Sequence, residues 1–98
     1  MFARVAAITA PETSPEQGVA FFRDHVLPDL RQYEGFEGAM VLVPREGDEV
    51  LAISYWDTEE HLRQAEATPA PHRTSAAREA LGPQTQRNVR IYEVAFRT

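Results

Sequence analysis

Apolar and polar positions divide the chain into six segments. Phe2 to Thr9 is a short, apolar, β-compatible run that stops at Ala10-Pro11. Ser14-Pro15-Glu16-Gln17 follows. Ser14 can cap a helix, Pro15 suits its first position, and Gln17 stands where a capping box needs it. Val19, Phe22, Val26, Leu30 and Tyr33 then recur at spacings of 3, 4, 4 and 3, one face of an amphipathic helix. Pro28 lies inside it and should bend it or leave the Asp24 carbonyl free. Gly35 ends it. Phe36 to Val43 reads as a strand, 44–48 as a turn, and Glu49 to Trp56 as the hairpin partner. A second helix opens at Asp57 or Thr58, with Asp57 and Glu60 in a capping-box pattern, and runs to about Ala67. Pro69 and Pro71 interrupt it. A second piece spans about His72 to Leu81 and closes at Gly82-Pro83. Asn88 to Arg97 is the last strand.

The order β-α-β-β-α-β predicts an α+β, ferredoxin-like protomer: a four-stranded antiparallel sheet with both helices on one face, as a single domain over 1–98. A bare face meeting water would make the strands alternate apolar and polar. Gly38-Ala39-Met40-Val41-Leu42-Val43 and Val50-Leu51-Ala52-Ile53 are instead continuous apolar runs. Such runs signal burial on both faces, and a second copy of the sheet is the simplest cover. The expectation is a homodimer. Size agrees, since a chain of 98 residues buries only about 60–65% of its unfolded surface.

Composition narrows the chemistry. Ten basic residues, all arginine, stand against 15 acidic ones, for a net charge of -5. No basic stripe is available to displace counterions from nucleic acid. The absence of lysine removes a Schiff base and a P-loop, and no Gly-x-Gly-x-x-Gly supports a nucleotide cofactor. With no cysteine there is no disulfide, thiol nucleophile, iron–sulfur cluster or Cys-ligated zinc. His25, His61 and His72 lack the i, i+4 spacing of a zinc helix, so no metal is expected. No apolar run approaches the ~18 residues of a membrane span, and no basic-then-apolar leader opens the chain. The expected location is the cytoplasm, with neither nucleic acid nor membrane as partner.

Ile53-Ser54-Tyr55-Trp56-Asp57-Thr58-Glu59-Glu60-His61-Leu62, continuing to Thr68-Pro69, resembles a segment of the antibiotic biosynthesis monooxygenase family: a strand ending in Trp, a capped helix, then a Thr-Pro break. Leu30 through Gly35-Phe36 and Gly38 resembles that family's helix-end Gly-Phe-x-Gly. The resemblance covers nearly the whole chain and implies a dimeric α+β barrel. The family includes cofactor-free monooxygenases acting on anthrones and quinols, haem-degrading enzymes, and small proteins acting on signalling molecules. Relatives often carry a pocket histidine, or in haem degraders an aromatic, nine residues after the tryptophan; here that residue is Ala65. Haem degraders also use an asparagine on the first strand, which Phe2 to Thr9 lacks. The resemblance therefore implies a small monooxygenase that uses O₂, without a cofactor, on a planar aromatic or quinol-like molecule. The alternative is a non-catalytic dimeric module that binds a small hydrophobic ligand.

Cofactor-free oxygenation needs a dry cavity, a base near the acidic proton and charge stabilisation for the substrate anion. The cavity is expected between helices and sheet. His72 and Arg73, after the proline break, are candidates for base and anion stabiliser. Trp56 either stacks on the substrate or plugs the helix–sheet junction. Tyr55 and Tyr92 could hydrogen-bond a substrate oxygen. Phe21, Phe22, Phe36, Met40 and Phe96 are expected as core or cavity wall, with Ala65 at the pocket position and Phe22 and Met40 against the substrate. Arg4 and Arg90 fall on otherwise apolar strands, and each must reach water, a carboxylate such as Glu93, or a ligand. An ion pair in the dimer interface is expected first, an anionic ligand second. His61 and His25 are expected on the surface.

Overall fold

A computed structural model of the chain describes residues 1–11, 13–68, 82 and 84–98. The elements are β1 (Phe2–Thr9), α1 (Pro15–Phe21), a π-helical turn (Phe22–Val26), α2 (Leu27–Leu30), β2 (Phe36–Leu42), β3 (Glu49–Trp56), α3 (Glu59–Ala67) and β4 (Gln86–Glu93). The strands form one antiparallel sheet in the order β2-β3-β1-β4, which is the ferredoxin-like arrangement. The second piece of the second helix, expected at about His72 to Leu81, lies outside the described residues.

The local signals act as the sequence predicts at the start of the first helix. The Gln17 N–H donates to Ser14 Oγ at 3.3 Å, and the Ser14 N–H donates to Gln17 Oε1 at 2.9 Å. The two orphan donors of the capping box are thereby satisfied. Pro28 is absorbed differently from a simple bend. The turn before it widens into a π-helix, and the Leu27 N–H donates to the carbonyl of Phe22, five residues back. A proline supplies no N–H and crowds the preceding turn, so one extra residue in the ring relieves both problems. The helix itself stops at Leu30, with Arg31 as its C-cap, earlier than the end expected at Gly35; tight turns then carry the chain to Gly35, whose φ of 88° leads it into β2.

The last strand differs from its expected span of Asn88 to Arg97. It begins two residues earlier and stops at Glu93, where its ladder partner among the described residues, β1, ends. Thr9 pairs with Gln86 and Phe2 with Glu93. One further bond, Val94 N–H to the Met1 carbonyl at 3.0 Å, uses the last available acceptor. Beyond it no strand among the described residues is left to pair with, and Phe96 is exposed.

Register assigns the side chains to two faces, because neighbours alternate along a strand. Phe2, Arg4, Ala6, Ser54, Trp56, Val89 and Ile91 share the face covered by α3. Ala3, Val5, Leu51, Ile53, Tyr55, Met40, Arg90 and Tyr92 share the other. A bulge at Glu37 shifts the register between Phe36 and Gly38, so Phe36 and Ala39 both turn to the helix side. Trp56, Leu62 and Ala65 centre the core, with Phe2, Leu30, Tyr33, Phe36 and Ile91 packed around them.

Candidate functional site

Trp56 ends β3 where the strand meets α3, and it is 1% exposed. Its indole N–H donates to Ser54 Oγ at 2.9 Å, two residues back on the same face. Phe36 meets the indole edge-on at a centroid distance of 5.5 Å. Ala65, also buried, lies in the same cluster on α3. The indole is thus enclosed and its one donor is satisfied, which is the arrangement of a plug between helix and sheet. Trp56 and Ala65 are the two proposed site residues that the fold brings together. Ser54 was not anticipated. Its signal was the i, i+2 spacing to Trp56, which puts both side chains on one face of a strand.

Among the described candidates, the others do not join them. Tyr55, Met40 and Tyr92 stand on the opposite face, which no element among the described residues covers and which differs from the expectation of a single cavity on the helix side. The reason is the period of two: Tyr55 and Trp56 are neighbours and must point apart. Tyr55 and Tyr92 flank Ala3 in register, and Ala3 is buried between them. Met40 pairs with Ile53. Phe22 sits half-buried on the π-turn. His72 and Arg73 lie outside the described residues. Among the described residues, one open depression is lined by Thr9, Pro11 and residues 84–86 and another by the β2–β3 hairpin; Trp56 lines neither.

Arg4 and Arg90 also separate, onto opposite faces. Arg4 Nε lies 3.9 Å from Glu66 Oε1 on α3, a carboxylate of its own chain. Arg90 is exposed on the uncovered face.

His61 corrects a second expectation. Its side chain is 24% exposed rather than solvated. Thr58, not Asp57, is the N-cap of α3, and its Oγ1 accepts from the His61 N–H at 3.1 Å. That frees the Asp57 carboxylate, which accepts from the Thr58 N–H at 2.6 Å and lies 2.8 Å from His61 Nδ1. The hydrogen bond to Asp57 raises the His61 pKa from its usual value, against a smaller opposing effect of desolvation. The same bond lowers that of Asp57. The signal in the sequence was Asp57 and His61 at i, i+4 on one helix face.

The model of the antibiotic biosynthesis monooxygenase family matches residues 1–77, from β1 through α3 and beyond. The chain belongs to this family. Among curated relatives, the uncharacterized protein Rv2558 of Mycobacterium tuberculosis is 36% identical over 77 residues, 79% of this chain and 33% of that protein. A second from the same organism, Rv2557, is 34% identical over 71 residues, 70% and 32% of the respective lengths. The chain thus spans about a third of the length of the curated relatives it matches. Among solved structures, SnoaB, a cofactor-independent oxygenase from Streptomyces nogalater, superposes with a TM-score of 0.77 at 17% identity, over 98% of this chain and 94% of that one. The heme-degrader MhuD of M. tuberculosis, solved with two hemes in its active site, gives 0.74 at 18% identity, over 100% and 99%. At these identities the likeness is one of fold. Among the described residues no helix is long and apolar enough to cross a membrane.

Proposed function

We infer that this domain is a small monooxygenase of the antibiotic biosynthesis monooxygenase family that uses O₂, with no bound cofactor, on a planar aromatic or quinol-like molecule, and that it works as a homodimer. The observation that carries this reading is the family match, which spans the sheet centre, the first helix and α3. In such chemistry a substrate CH₂ or phenol gives up a proton, and its anion passes an electron to O₂. Recombination at carbon and loss of water turn CH₂ into C=O, with the second oxygen atom leaving as water. The protein's part is to exclude water, take the proton and stabilise the anion. His72, with a reference pKa of ~6.5, is the proposed base, and Arg73 the proposed anion partner. Trp56 and Ala65 are the proposed wall on the helix side. Tyr55, Met40 and Tyr92 are reassigned to the contact between sheets, which the apolar uncovered face supports.

One observation favours a second reading. Ala65 stands where the resemblance leads one to expect a pocket histidine or aromatic, which suits a domain that binds a small hydrophobic ligand without transforming it. Oxygen uptake separates the two. Purified, metal-free protein is given a panel of anthrones and dihydroquinones beside its His72→Ala and Arg73→Gln variants. Uptake above the spontaneous rate that His72→Ala loses is the expected result. Uptake no faster than background across the panel would overturn the enzyme reading in favour of the binding module.

A further inference from the structure

The end of the first helix and the start of α3 meet at His61, and each ring nitrogen faces a carboxylate. Nδ1 is 2.8 Å from Asp57 Oδ1, and Nε2 is 3.7 Å from Glu34 Oε2. A neutral imidazole has one N–H and one lone pair, so it satisfies one carboxylate and turns a lone pair toward the other. Only the imidazolium is attracted to both. Among the described residues, the charged groups acting on the ring come from three places: Glu34 after α2, Asp57 from the turn after β3, and Glu60 from α3 itself. All three are acidic.

Backbone closes the same junction. The Asp57 N–H donates to the Gly35 carbonyl at 3.0 Å. A Cβ at Gly35 would collide with the Asp57 carboxylate and the His61 ring, so the two segments are in contact with no spare room. Leu30 and Tyr33, just upstream, pack on the Trp56 cluster. Whatever holds Glu34-Gly35 against Asp57 therefore holds that helix end on the core.

We propose that His61 is a proton-operated latch, which fastens the end of the first helix to the start of α3 when the imidazole is charged and loosens it when the ring is neutral. The idea is independent of the oxygenase reading. Glu34, 85% exposed, is the partner that turns into solvent on release. The sign follows from the two carboxylate contacts. The His61 pKa is raised on folding, so its contribution is complete below its unfolded value of about 6.5 and fades as pH rises through the raised one. The Asp57 pKa is lowered, so its contribution is complete above 3.8 and fades as pH falls through the lowered one. The latch is closed between those limits and opens as pH rises through the raised His61 pKa.

Amide hydrogen exchange at Asp57, divided by its intrinsic rate, reads the latch directly. In the natural chain this ratio should rise several-fold between about pH 6 and about pH 8.5 as the ring loses its proton. His61→Gln, which cannot titrate, should abolish the rise. Glu34→Gln, an exposed change that leaves the core intact, should move it to lower pH and serves as the deciding variant if His61→Gln does not fold. A flat ratio in the natural chain, the same rise in His61→Gln, or an unmoved midpoint in Glu34→Gln would each overturn the proposal.

Discussion

The two faces of one sheet have opposite fates. On the helix side Trp56 is 1% exposed, Ala6 3% and Ser54 5%. On the other side Met40 is 45% exposed, Leu42 46% and Tyr92 49%. The same strands supply both sets, and both are largely apolar. A face this apolar on a lone chain is unusual among soluble domains and marks a surface meant to be covered. The difference teaches that one chain completes only half of what its apolar runs specify. The helix face is packed by α3 and by Leu30 and Tyr33 from the end of the first helix; the other is left open by the described residues, and a second copy is its proposed cover.

Breaking the finished face should cost most. Trp56→Ala should destabilise the fold by about 3–5 kcal/mol, read by denaturant unfolding, because it empties the centre of the core. An aspartate on the other face should act on assembly instead. Met40→Asp should keep its circular dichroism but halve the solution mass, from about 22 kDa, twice the 11.0 kDa chain, to that of one chain. If the natural chain scatters light as a monomer at micromolar concentration, the second half of the comparison fails.

Smaller changes sharpen the account of the finished face. Gly35→Ala should cost about 2 kcal/mol or more, since the residue would have to hold a left-handed φ and push aside Asp57 and His61. Ser54→Ala should cost about 1–2 kcal/mol by leaving the buried Trp56 N–H unpaired. A thermal shift within error for that variant would mean that the indole finds another acceptor. The smallest effect is on pH. Thermal stability should decline as pH rises through the raised His61 pKa, and Asp57→Asn should flatten that decline.

Much of this architecture was legible in the chain. The ends of β1 at Phe2 and Thr9 and of β3 at Glu49 and Trp56 follow from where apolar runs meet turn residues. The Ser14–Gln17 box is likewise local, and local signals need only local sequence. What failed to show were features set by partners distant in sequence. The end of β4 is fixed by the length of β1, not by the apolar residues at 94–96. Arg4 finds Glu66 across the sheet–helix gap, 62 positions away in the chain. The His61–Asp57 contact is the local exception: Asp57 and Thr58 are both capping residues, and Asp57 is left for His61 only because Thr58 takes the cap. The continuous apolar runs hid which residue points where, so Tyr55 and Met40 were grouped with Trp56 until register separated them.

That separation is the central claim: substrate on the helix side, a second copy on the other. Side-chain NMR tests it most directly, because methyl groups and the indole N–H report the face and not merely the strand. A planar quinol is titrated into the protein under nitrogen. The account predicts shifts at the Trp56 indole and the methyls of Leu62, Ala65 and Ile91, with Met40, Leu51 and Ile53 unmoved. Shifts confined to Met40, Leu51 and Ile53 would contradict it and place the ligand on the face assigned here to the partner.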